Sequence, residues 1–155
     1  MTIKRLEARV PEGSPRIGIV LSRFNHEVGE GLLGGALRAL REAAIDDAHV
    51  TVVSVPGALE TPLVLQRMAQ SGDFDALVAL GAVIRGETYH FEIVANESAA
   101  GVSSVALEFG IPIGNGILTC ENDAQALARM DQKGYEAAQA ALEVAALFDA
   151  LDEQD

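Results

Sequence analysis

The sequence predicts an α/β fold, a three-layer αβα sandwich built on a four-stranded parallel sheet. Short apolar runs alternate strictly with longer segments whose apolar residues recur every three or four positions, which is the order strand, helix, strand, helix. The first and third runs are continuously apolar rather than alternating, as expected of strands buried on both faces. Each run also ends in glycine, proline or polar residues that mark a turn.

The first strand is read over Arg16-Ile17-Gly18-Ile19-Val20-Leu21, after a loose Pro11-to-Pro15 lead. The helix that follows places apolar residues at Val28, Leu32, Leu33, Ala36, Leu37 and Leu40. Asn25 is its expected N-cap, with Glu27 and Glu30 near the positive end. A second strand, Val50 to Val55, stops at Pro56-Gly57, and a helix begins near Thr61-Pro62, where proline suits a first turn. The third strand is Ala76 to Ala82, and the helix after it repeats Phe91, Val94, Val102, Val105 and Phe109. The fourth strand is Ile111 to Leu118, read as interrupted by Gly114-Asn115-Gly116. The last helix starts at Asn122, and Gln125 three residues on completes a capping-box pattern. Gly134 is expected to break that helix before Ala137 to Phe148 resumes its spacing.

At 155 residues the chain is read as one domain, 1–155, with a loose N-terminal arm over 1–14 and a frayed acidic tail over 149–155. No internal repeat or linker divides it. Hydrophobic residues make up 49% while tryptophan is absent, so the core must be built from Ala, Val, Leu and Ile. The net charge of −12 argues against a nucleic-acid or anionic-membrane surface, both of which need clustered cations. The N-terminal residues carry Lys4, Arg5, Glu7 and Arg9 without an apolar core, so no secretory leader is expected, and no apolar run approaches the ~18 residues of a spanning helix. The lone Cys120 cannot form an internal disulfide and has no matching metal ligands. A cytoplasmic location is the simplest expectation.

Four strand ends carry unusual residues at equivalent topological positions: Ser22-Arg23-Phe24-Asn25, Pro56-Gly57-Ala58-Leu59-Glu60, Val83 to His90, and Gly114-Asn115-Gly116. In parallel sheets ligands collect at the carboxyl ends of the strands. The stretch from Arg85 to Tyr89 passes from strand to helix, and free amides at a helix start favour an anion, typically phosphate. The 70 residues after Arg85 contain 13 carboxylates and only two basic side chains, Arg129 and Lys133, so an anion held by that half must use those two or backbone amides. Taken singly, each residue is open to a plainer reading. Phe24 could stack on a flat heterocycle or pack on its neighbours; Glu60 could accept hydrogen bonds from hydroxyls or cap a helix. His90 could shuttle protons, as an imidazole titrating near neutral pH can, or serve as a packing residue. Arg129 could bind a ligand or a surface carboxylate. His49 reads as solvated surface, and His26 either lines the site or sits in a first turn.

Arg23-Phe24-Asn25, Val55 to Glu60, Gly81 to His90 and Gly116-Ile117-Leu118-Thr119 occur in the order and spacing of the lumazine synthase family. The resemblance covers about residues 14 to 148, and four motifs in register make it specific. It implies a flavodoxin-like fold and a transferase of riboflavin biosynthesis. That enzyme condenses 5-amino-6-(D-ribitylamino)uracil with L-3,4-dihydroxy-2-butanone 4-phosphate to 6,7-dimethyl-8-(D-ribityl)lumazine, phosphate and water. No metal or organic cofactor is implied. By matching position, Phe24 would stack on the pyrimidine, Ala58, Leu59 and Glu60 would hold the ribityl chain, and Ala82, Val83 and Ile84 would line the pyrimidine edge. Glu87 and Thr88 would bind phosphate with Arg129, assisted by Lys133, and His90 would move protons. The resemblance also implies sites between subunits, with Phe24, Glu60 and His90 from one and Asn115, Arg129 and Lys133 from the next. Many members carry phenylalanine where Asn115 stands, and a small residue where Glu87 stands. The chain lacks the glycine-containing insertion that shell-forming members have between Arg129 and Lys133, so a homopentamer, or a dimer of pentamers, is expected. The rival expectations are a low-activity flavin- or lumazine-binding relative and a purely structural assembly protein.

Overall fold

The computed structural model describes residues 2–8 and 14–153. Four strands, β1 (Ile17–Ser22), β2 (Val50–Val55), β3 (Ala76–Ile84) and β4 (Ile113–Cys120), form one all-parallel sheet in the order β2-β1-β3-β4. Helices α1 (His26–Glu42), α2 (Thr61–Ser71), α3 (His90–Phe109) and α4 (Asp123–Asp152) cover it. This is the strand order 2-1-3-4 with which a flavodoxin-like sheet begins. The predicted three-layer α/β class is therefore what the chain adopts.

The connection from β1 to β2 steps one way along the sheet, whereas β2 to β3 and β3 to β4 step the other way. Right-handed crossovers then require α1 on one face and α2 and α3 on the other. The core divides accordingly. Ile17, Ile19, Val78, Leu80 and Leu118 pack under α1 and α4, while Val20, Leu77, Ala79 and Ile117 pack under α2 and α3. Alternate residues of β1 and β3 serve opposite faces, which is why both strands read as unbroken apolar runs.

Several boundaries differ from the sequence reading. β3 runs on to Ile84, and β4 is displaced to Ile113–Cys120. β4 is continuous through Gly114-Asn115-Gly116 rather than interrupted. A Cβ on Gly114 would lie 2.0 Å from the Ala137 carbonyl oxygen, so these glycines let α4 approach the strand. Gly134 does not break α4, a single helix of 30 residues. It is buried where α4 crosses α1, and a Cβ there would fall 2.0 Å from the Leu32 carbonyl oxygen. Beside it, Arg38 of α1 pairs with Asp131 at 2.7 Å and lies over the Tyr135 ring, and Tyr135 donates to Glu42. The helix continues to Asp152, so the acidic end is ordered helix over its first residues. Residues 9–13, with most of the expected loose lead, and residues 154–155 of the tail lie outside the described residues. His49 is half-buried with Nδ1 2.6 Å from the Ser14 carbonyl oxygen, so it is not simply solvated.

The seam between α1 and α4 gives a stability prediction. Gly134→Ala forces backbone against backbone and should cost about 3 kcal/mol, the upper range for overpacking. Gly34→Ala, in α1 with open space around it, should gain roughly 0.5–1 kcal/mol from helix propensity. Urea unfolding of both variants checks the pair, and equal midpoints would refute the close-contact explanation.

Candidate functional site

Strand order reverses between β1 and β3, and connecting loops part there to leave a crevice at the carboxyl ends. A cavity of about 410 Å³ opens at that place. Its walls come from three successive strand ends and the start of α3.

After β1, the chain is tied to the end of β2 by Arg23 N–H to the Val55 carbonyl (2.8 Å) and Phe24 N–H to the Pro56 carbonyl (3.1 Å). Asn25 then turns the chain in the left-handed region at φ 62°, which asparagine tolerates better than most residues. It holds the N-cap position of α1 without a side-chain cap bond; its amide instead donates to the Ala82 carbonyl at 3.2 Å. One loop thus clamps the ends of β2 and β3. The Phe24 ring, 72% exposed, is left lining the cavity. That exposure argues against simple packing on its neighbours.

After β2, Pro56-Gly57 leads into a single 3₁₀ turn, Ala58–Glu60, closed by Glu60 N–H to the Gly57 carbonyl at 3.2 Å. Ala58 is buried, whereas Leu59 and Glu60 are exposed along the cavity. Glu60 precedes α2 but its side chain makes no cap bond, so the capping reading does not describe it. After β3, buried Ala82 and Val83 and half-buried Ile84 form the floor. Gly86, Thr88 and His90 lead into α3, where the Glu92 N–H donates to the Tyr89 carbonyl at 3.1 Å and the helix presents its positive end. Thr88 Oγ1 accepts from the His90 N–H at 3.4 Å. The His90 ring is exposed and has no hydrogen-bond partner among the described residues, unlike a satisfied packing histidine.

The remaining residues lie elsewhere on the chain. Arg129 and Lys133 line a second hollow of about 360 Å³ beside the edge strand β4, with Thr119 and Gln125. Asn115 lines neither cavity, and its Oδ1 accepts the Ile117 N–H at 3.0 Å. Glu87 is exposed and also outside both linings. His26 stands on α1 beside Glu30 at 4.0 Å and does not line the site. Cys120 is buried, and burial pushes its thiol above the usual range, so it is a poor nucleophile.

Sequence reading did not find two features. Asn25 bridges to Ala82, 57 residues away, and Arg85 is held by Glu92 and Glu121, 7 and 36 residues away.

Fold and cavity together define a flavodoxin-like α/β protein with a crevice at its switch point. Residues 14–149 match the 6,7-dimethyl-8-ribityllumazine synthase family, and the chain belongs to that family. Proteins named 6,7-dimethyl-8-ribityllumazine synthase from Nitrosospira multiformis and Paraburkholderia phymatum are 58% and 53% identical to it. The first alignment covers 99% of this chain and 96% of the relative, the second 100% and 90%. A relative of the same name from Azoarcus sp. strain BH72 is 57% identical over 88% of this chain and 87% of its own length.

Proposed function

We propose that this chain condenses 5-amino-6-(D-ribitylamino)uracil with L-3,4-dihydroxy-2-butanone 4-phosphate to 6,7-dimethyl-8-(D-ribityl)lumazine, as an enzyme of riboflavin biosynthesis. Family membership supports the activity. The observation that carries the site assignment is the switch-point cavity, which gathers an exposed aromatic ring, a free carboxylate, a helix start and an unpartnered histidine. Phe24 stacks on the pyrimidine, while backbone groups of Ala82, Val83 and Ile84 meet its polar edge. The 3₁₀ turn Ala58, Leu59 and Glu60 receives the ribityl chain, with the Glu60 carboxylate accepting from its hydroxyls. Thr88 and the amides around Glu87 hold the phosphate at the positive end of α3.

The chemistry needs no strong nucleophile. The amine of the pyrimidine attacks the ketone carbon, and water leaves as the imine forms. Phosphate then departs with its C–O electron pair while a proton is lost from the neighbouring carbon, the resulting enol takes a proton at its terminal carbon to become a methyl ketone, and the second amine closes the ring on that carbonyl with loss of another water. Holding two small molecules face to face supplies most of the acceleration. His90 moves the protons at the imine and elimination steps.

Arg129 and Lys133 complete the phosphate subsite from a neighbouring copy, since within one chain they line a different hollow from His90. Asn115 comes with them, from the edge strand β4 that precedes their helix. The family resemblance and the missing insertion between Arg129 and Lys133 support an assembly of five subunits, singly or as two stacked rings; Leu63 and Leu107, 70% and 86% exposed, are apolar surface such contacts would cover. The whole chain acts as one domain in the cytoplasm. Among the described residues no helix is long and apolar enough to cross a membrane.

The direct test follows lumazine formation by absorbance with both substrates, above the slow spontaneous reaction, while ultracentrifugation reports the assembly. Saturable acceleration by a particle five or ten times the 16.3 kDa chain is expected. Ligand binding without turnover would instead favour a lumazine- or flavin-binding relative.

A further inference from the structure

Arg85 leaves the end of β3 beside the cavity but does not line it. Its own N–H donates to the Cys120 carbonyl at 2.8 Å, joining the last residue of β4. Its side chain forks. Nη1 pairs with Glu92 in the first turn of α3, and the guanidinium lies 4.4 Å from the centre of the Phe91 ring. Nε donates to Glu121 Oε2 at 2.7 Å. The Glu121 N–H in turn donates to Gln125 Oε1 at 2.8 Å, and the Gln125 carbonyl accepts from Arg129 Nη1 at 3.0 Å. A continuous polar chain therefore runs from the α3 turn that carries His90, through Arg85, to Arg129.

The two ends of this chain belong to different cavities of the same subunit. A planar guanidinium is suited to hold both ends, because it presents donors in a fixed fork where an ammonium offers one movable point charge. The pairing is strong enough to hold the Glu92 carboxyl below its ordinary range. Glu121 is nonetheless exposed at 58% and Glu92 only half-buried at 30%, and such solvent-reached pairs contribute little to stability. Its effect is on geometry: misplacing a reacting group by about 1 Å can cost of order 10² in rate.

We propose that Arg85 is a positioning residue that sets His90 through Glu92 and Arg129 through Glu121, so that each subunit keeps the two neighbouring sites it borders in mutual register. The inference rests on the roles assigned above to His90 and Arg129.

Steady-state kinetics on the assembled protein, varying each substrate, tests it. Glu92→Gln loosens only the α3 arm and should lower kcat about 5- to 10-fold with both KM values nearly unchanged. Glu121→Gln loosens only the α4 arm and should raise the KM for the butanone phosphate by about the same factor with kcat held. Arg85→Gln should do both, and Arg85→Lys should recover part of one effect. Particle mass and unfolding midpoint should stay at the parent values throughout. The proposal falls if the two glutamate variants shift the same parameter, if all variants stay within about twofold of the parent, or if losses track disassembly. Should Arg129→Ala and His90→Ala prove silent in the same assay, the error lies in the site assignment and not in Arg85.

Discussion

Arg129→Ala is expected to raise the KM for L-3,4-dihydroxy-2-butanone 4-phosphate by about 10- to 100-fold while leaving the KM for the pyrimidine close to the parent value. A hydrogen bond to a charged group contributes roughly 1.5–3 kcal/mol, and each 1.4 kcal/mol is a factor of ten. The setting makes the loss hard to compensate. The chain carries −12, and after Arg85 only Arg129 and Lys133 offer positive side chains against an anion. Lys133 lines the same hollow and can retain part of the attraction, but without the planar fork that meets two phosphate oxygens. Arg129→Lys should therefore fall between parent and alanine. Initial rates at varied butanone phosphate decide it; unchanged KM and kcat would remove Arg129 from the site.

What could be read from the sequence followed how local each signal is. Apolar runs ended by Ser22-Arg23, by Pro56-Gly57 and, two residues short of the observed end, at Ala82 announced three strand carboxyl ends, and a parallel sheet places all such ends on one edge. Three of the four expected strand ends thus wall the cavity, whereas the fourth, Gly114-Asn115-Gly116, lies in the first half of β4 and not at its carboxyl end. Glycines were not. Gly134 inside a helix and Gly114 inside a strand look the same whether they break an element or admit another backbone, and only the packing of α4 on α1 and β4 decides. The reading of Asn25 as an N-cap found the right residue but the wrong mechanism. Its left-handed backbone frees the amide for the Ala82 carbonyl, a contact spanning two strand ends that spacing cannot express.

The separation of Arg129 from His90 likewise has no local signature. It arises because β4 is an edge strand, so Arg129 and Lys133 on the helix that follows it stand beside that edge, while α3 begins at the switch point. Glu87 and Asn115, the two positions where the resemblance leads one to expect other residues, both stay outside the cavity linings of the single chain. For Glu87 this fits a phosphate held by the main chain rather than the side chain. For Asn115 the amide is already engaged by the Ile117 N–H, so it can offer a ligand less apolar area than phenylalanine.

His90→Ala should lower kcat by about 10²-fold or somewhat less, with pyrimidine binding retained and the particle unchanged in mass. General acid–base assistance contributes typically 10²–10⁴-fold. The lower end applies here because water can reach an exposed imidazole's position and replace part of its proton transfer. Proximity of the two substrates, which His90 does not create, survives the substitution. Folding should survive as well: the ring has no hydrogen-bond partner among the described residues, and α3 is anchored through Phe91, Val94, Val102 and Val105. His90→Gln, which keeps a hydrogen-bonding group but no titratable nitrogen, should be nearly as slow as alanine if proton movement is the role, and nearly as fast as the parent if only orientation matters. Titration of each variant with the pyrimidine substrate, beside turnover, separates these cases. A protein that loses assembly on either substitution would show His90 to be a packing residue.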